Sequence, residues 1–318
     1  PMIYALQRKT GKSLLLYAIP LLAGLAITHA FIPPTPGPIA VADIIGAPLG
    51  MVIAVGFCVG IPTAAISGLV FGSFISKKIK VAAPEGVTDK TEIVTLPNVF
   101  TVFALVALPI VLIVLKTGLD SGFILIQNNV LQQCISLLGH PFTALLLANV
   151  MAWYILGIRS NYPKDKLLKI ASNSLAPAGT IILLTGAGGV FKQMLTNTGA
   201  GELLASSLQD VGLPIIAFAF ITAAIVRVIQ GSSTVAMITA AGLVFPLLGS
   251  SSDYMLACIV ISIASGASIF SHVNDSGFWL VSQYLGLSEK QTLRSWSVMT
   301  TILALSGFTF VIILSLFA

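Results

Sequence analysis

Four stretches of this sequence place polar, titratable or helix-breaking residues inside otherwise apolar text, and their types limit the chemistry on offer. In IASGASIFSHVNDSGFWL, residues 263–280, an apolar run is interrupted by Ser271, His272, Asn274, Asp275, Ser276 and Gly277. Histidine titrates near neutrality and a carboxylate can hold or release a proton, so His272 and Asp275 in a broken helix are candidates for coupling proton flow to solute movement. The bland alternative is a loop with Asp275 as a helix cap. In AAIVRVIQGSSTVAMITAAG, residues 223–242, Arg227 and Gln230 precede Gly231, Ser232, Ser233 and Thr234. Arginine at bilayer depth needs a partner or water, and the free amides of a helix start favour an anion. Arg227 with Gly231, Ser232, Ser233 and Thr234 therefore reads as a carboxylate site, or else Arg227 snorkels to a headgroup.

The third stretch, ITHAFIPPTPGPIA at 27–40, ends an apolar run at His29 and then forbids a regular helix with Pro33, Pro34, Pro36, Gly37 and Pro38. Proline removes backbone donors and leaves carbonyls free, which suits a ligand near Pro36 and Gly37, although a surface loop explains prolines equally well. His29 joins the proton-coupling candidates on the strength of its neighbours. The fourth is TGAGG, where Thr185, Gly186, Gly188 and Gly189 would expose amides to a ligand at close range or simply permit a turn. Asn274 and Ser276 complete the candidate substrate contacts.

Serine, histidine and aspartate also serve hydrolases. No G-x-S-x-G stands in the chain, and His272, Asp275 and Ser276 are crowded onto one short segment, so no catalytic residue is assigned and the chain is not expected to be an enzyme. Cys58, Cys134 and Cys258 are scattered without metal or disulfide spacing. Neither a metal nor a cofactor is called for.

The elements that must hold these residues follow from composition. Of 318 residues, 56% are hydrophobic and 8% charged, against about 25% charged in a soluble domain, so the chain lacks the polarity to cover a water-facing surface. Residues 13–32, 49–75, 97–115, 141–158 and 296–318 contain no Asp, Glu, Lys or Arg, and roughly 20 apolar helical residues cross a bilayer. Shorter apolar runs lie at 212–226, 232–249 and 254–271. The alternating ten-residue pattern of an outer-membrane barrel is absent, and an all-α polytopic membrane protein is expected.

The net charge of +5 points to topology rather than to nucleic acid. Arg8, Lys9 and Lys12, then Lys77, Lys78 and Lys80, then Arg159, Lys164, Lys166 and Lys169 cluster in short loops, with two spans between successive clusters, which places all three in the cytoplasm. The mixed-charge stretch 76–96 reads as a cytoplasmic linker. Residues 117–139 carry too many amides for lipid on all sides and are not counted as a span. Residues 174–208 read as a re-entrant hairpin turning at the glycines, or as two ordinary helices with a surface turn; irregular backbone at membrane depth requires protein or a wet cavity around it. The run 212–249 is either two spans or one broken pair of half-spans, and a cytoplasmic Lys290 and Arg294 favour the second. The chain opens on Pro1 with no leader-like segment before the first span, which reads as a fragment.

The stretches THAFIPPTPGPIA, GAGGVFKQMLTNTGAGELLASSL, VRVIQGSSTVAMITAAG and SHVNDSGFWLVSQYLGLSEKQTLRSWSVMTTI resemble the gluconate permease (GntP-type) family over nearly all of the chain. The resemblance implies a proton-coupled importer of gluconate or a related sugar acid in the bacterial inner membrane, with relatives that move other small hydroxy or amino acids such as glycerate or D-serine. It also implies distant kinship to inverted-repeat, ion-coupled transporters with re-entrant hairpins, and an upstream portion that precedes what is present here. The expected organisation is 1–75 as the remainder of a first repeat and its following spans, 76–96 as linker, 97–170 as scaffold-type spans, and 171–318 as a second repeat with hairpin, broken helices and a final span. The run into Thr28 and His29 echoes the run into Ser271 and His272, as a duplication would leave it. The expected partners are a small organic anion, a proton and the lipid bilayer, with a homo-oligomer compatible and no nucleic acid.

Overall fold

Apolar sequence in lipid must satisfy its backbone internally, which leaves the helix as the local solution for non-alternating runs. The computed structural model describes residues 2–83, 97–120, 128–160, 162–172 and 212–317, with a few positions between them, and every regular element among these residues is helical. The glycine turn at 185–189 and most of the linker, residues 84–96, lie outside the described residues.

After the short α1 (Met2–Thr10), α2 (Leu15–Phe31) runs to a break at 32–35 and continues as α3 (Pro36–Ile45). The chain returns through α4 (Leu49–Ala64), a π-helical turn at Ala65–Val70 and α5 (Phe71–Lys78). Next come α6 (Val99–Asp120), α7 (Asn129–Leu138) and α8 (Pro141–Ala152). The C-terminal part contains α9 (Ile215–Gln230), α10 (Ser233–Val244), α11 (Asp253–Gly266), α12 (Ser276–Leu285), α13 (Glu289–Thr292) and α14 (Val298–Ser315). Among the described residues, five helical runs are long and apolar enough to cross a membrane: Leu15–Ile45, Leu49–Lys78, Val99–Thr117, Pro141–Ile158 and Glu289–Ser315. Each overlaps one of the charge-free runs. Among the described residues of the amide-rich stretch after α6, α7 is a ten-residue helix capped by Asn128 and without a buried residue.

Contacts between the helices fix their directions. Gly56 lies against the Phe31 carbonyl and Gly72 against Ile19 and Pro20, so α4 and α5 run antiparallel to α2. Ser13 Oγ donates to the Ile79 carbonyl at 2.7 Å and Leu14 N to the Val81 carbonyl at 2.8 Å, which brings the Lys12 and Lys77–Lys80 clusters to one end of the molecule. Tyr4 Oη reaches the Tyr284 carbonyl at 2.5 Å, adding the end that carries Lys290 to the same face. Asp43, Lys116, His140 and Asp253 border a cavity at the other end.

The run 212–249 forms two apolar helices shorter than the five long runs, folded back on each other. Ser262 Oγ on α11 donates to the Ile216 carbonyl at the start of α9, while Asn274 bonds the Val228 carbonyl near its end, so α9 runs alongside α11 in the same direction. α10 starts beside Asn274 and ends shortly before Asp253, so it must run the opposite way. Sixteen residues of α9 reach about 24 Å at 1.5 Å per residue, short of about 30 Å of hydrocarbon. Helices here approach closely: a Cβ at Gly266 would lie 2.2 Å from the Phe220 carbonyl, the small-residue contact by which membrane helices gain packing without a hydrophobic drive between them.

Candidate functional site

The tip of the α9–α10 hairpin and the interruption between α11 and α12 meet opposite Leu22, Ala26 and His29 of α2, and sequence dictates both. Gly231 takes φ +79° and closes α9 through its amide to the Arg227 carbonyl; Ser232 then caps α10 by accepting from Val235 N at 3.4 Å. A side chain at Gly231 is excluded, since a Cβ there would stand 2.3 Å from the Asn274 carbonyl oxygen. The helical text of α11 stops at Gly266, and α12 starts only when Asp275 caps it by accepting from Gly277 N at 2.9 Å.

The terminal carbonyls of α9, which have no partner within the helix, are met by side chains from across the break. His272 Nε2 donates to the Val228 carbonyl at 3.0 Å, and Asn274 Nδ2 donates to the carbonyls of Val228 at 2.9 Å and Ile229 at 3.3 Å. Arg227 donates from Nη1 to the Gly231 carbonyl and from Nη2 to Asp275 Oδ2 at 2.5 Å. Arg227 is 6% exposed and the Asp275 side chain 13%, so the arginine pairs inside the protein instead of snorkelling. Asp275 is both the helix cap and the counter-ion.

A cavity of about 710 Å³ opens on this pair. Its wall carries Arg227, Gln230, Gly231, Ser232, Ser233 and Thr234 from the hairpin tip, Asn274, Asp275, Ser276 and Gly277 from the second break, and His29 with Leu22 and Ala26 from α2. Among the described residues, Arg227 Nε and Ser233 Oγ are buried donors without a hydrogen-bond partner. Nine of the sequence candidates thus share one wall. Pro36 borders the separate cavity near Asp43, Gly37 is buried against Met237, and His272 turns its ring to α9 and is not on the cavity wall. Thr185, Gly186, Gly188 and Gly189 lie outside the described residues.

A cavity between broken apolar helices, with a buried arginine, a carboxylate and a ring of hydroxyl and amide groups, is the equipment of a solute carrier for a polar anion. Residues 1–317 match the GntP family permease description. The chain belongs to that family. It is 38% identical to a gluconate permease of Pseudomonas aeruginosa, across 99% of this chain and 71% of the relative. It is 40% identical to the low-affinity gluconate transporter of Escherichia coli K12 (96% and 68%) and 36% identical to a gluconate permease of Bacillus subtilis (99% and 72%). This GntP-family permease is a transporter rather than an enzyme, and a multi-pass protein of the bacterial inner membrane that takes an organic anion.

In the permease, part of the site comes from Ser271, which the sequence marked only as a break, and from Trp296, Ser297 and Thr300, which it did not mark. Ser271 is 1% exposed, and its amide donates to Thr300 Oγ1 at 3.1 Å, its carbonyl accepts from Ser297 Oγ, and its hydroxyl accepts from Trp296 Nε1 at 2.6 Å while donating to Asp275 Oδ2. Trp296 and Thr300 also border the cavity. The signal was the polar trio Trp296, Ser297 and Thr300 at the head of an apolar span, where nothing in the span itself requires it.

Proposed function

We propose that this permease imports gluconate or a closely related sugar acid together with a proton, and that the two bind at the Arg227–Asp275 pair. The observation that carries the proposal is the pairing itself, on the wall of a cavity lined by hydroxyl and amide groups. An uncompensated buried charge costs several kcal/mol. In the resting pair Arg227 is neutralised by Asp275. When a proton neutralises Asp275, Arg227 needs a new anion, and the substrate carboxylate supplies it; Arg227 Nε and Ser233 Oγ add donors, and the start of α10 adds its free amides. The loaded site then carries the same net charge as the empty one. Proton alone or substrate alone leaves one charge unpaired, so the two are taken up one to one. Gln230, Thr234, Asn274 and Ser276 suit the hydroxyls of a sugar acid.

The test is uptake of labelled gluconate into liposomes holding the purified carrier, driven by an inside-alkaline pH gradient. Accumulation that collapses with a protonophore is expected, and unlabelled sugar acids should compete. Uptake indifferent to both the gradient and the protonophore would overturn proton coupling.

A further inference from the structure

Resting on the coupling scheme above, we infer that Ser271 and Trp296 are positioning residues that set the proton affinity of Asp275 and tie its charge state to the final helix. Ser271 commits its amide, carbonyl and hydroxyl to the helical turn of residues 296–300, where the π-helical Leu293–Ser297 joins α14, and the same hydroxyl donates to Asp275 Oδ2. A hydroxyl both donates and accepts. Here its one proton goes to Asp275 Oδ2 while it accepts from the Trp296 indole, so the bond to Asp275 is one made to the charged carboxylate. Alanine at 271 would leave the carboxylate without that donor.

The sign follows from which form the bond favours. A donor to the charged carboxylate lowers its proton affinity. Removing it raises that affinity, so proton loading begins at higher pH. The indole N–H polarises the Ser271 hydroxyl and strengthens its donation, so its loss acts in the same direction with a smaller effect. The other charged or titratable groups facing Asp275 among the described residues are Arg227 from α9, His29 from α2 across the cavity, and His272 on the same segment, whose Nε2 is engaged by the Val228 carbonyl. The 296–300 turn contributes none.

The experiment measures gluconate uptake against pH in proteoliposomes for wild type, Ser271→Ala and Trp296→Phe. Ser271→Ala should move the midpoint up by about one pH unit, the size of one hydrogen bond to a charged group, and Trp296→Phe should move it less in the same direction. A residue that only supports packing would lower the maximal rate and leave the midpoint in place. Should Ser271→Ala not fold, Trp296 itself reports: in a carrier with Trp153→Phe and Trp279→Phe, its emission should change with the midpoint of uptake, and Asp275→Asn should abolish the change. Variants that fold and keep the wild-type midpoint, or an emission indifferent to pH while uptake is not, overturn the inference alone. Wild-type uptake without any proton dependence overturns the coupling scheme with it.

Discussion

At the residue scale, Arg227 carries the account because its fork does two things at once. One nitrogen holds the Gly231 carbonyl and the other Asp275. Lysine keeps the charge but lacks the planar fork, so Arg227→Lys loses one charge-assisted hydrogen bond, about 1.5–3 kcal/mol. The KM for gluconate should rise about ten- to a hundredfold, read from initial uptake rates; an unchanged KM would remove Arg227 from substrate binding. Arg227 was legible in the sequence because a lone arginine in apolar text needs an explanation. Its partner was not, since Asp275 lies 48 positions away and pairing across that distance depends on how two breaks are brought together. Residue type marked His272 for proton chemistry, and the structure places its ring against the end of α9 rather than on the cavity wall.

At the scale of elements, the site is made by interruptions. Gly231 turns α9 into α10 at φ +79°, with the Asn274 carbonyl where a side chain would go. Gly231→Ala combines a left-handed residue, about 1–2 kcal/mol, with a clash against backbone that has no room to yield. The variant should melt at clearly lower temperature in detergent and lose most uptake; wild-type melting and transport together would show that the two breaks are not packed as described. Proline, glycine and serine announced these breaks in the sequence. What composition did not announce is that α9 and α10 fold back on each other, because a glycine between two apolar half-spans is equally consistent with a kinked crossing. The 296–300 turn stayed hidden for a related reason: its polar groups sit at the head of an ordinary span, and their partner, Ser271, belongs to a different helix pair.

At the scale of the molecule, two of the three basic clusters read from the sequence converge: Lys12 and Lys77–Lys80 share one end with the Lys290 side of α12, while Asp43 and Asp253 border a cavity at the other. The paired breaks lie between these ends, and Arg227 and Asp275 are buried there, so the proposed scheme makes an unpaired charge costly enough for proton and substrate to travel together. Asp275→Asn tests this most directly, because the amide resembles the protonated acid in shape and in having no charge. Reconstituted Asp275→Asn carrier should fail to accumulate gluconate under an inside-alkaline gradient, yet still exchange labelled for unlabelled gluconate across the membrane at a rate independent of pH. Proton-driven accumulation that survives in Asp275→Asn would contradict the account and remove Asp275 from coupling.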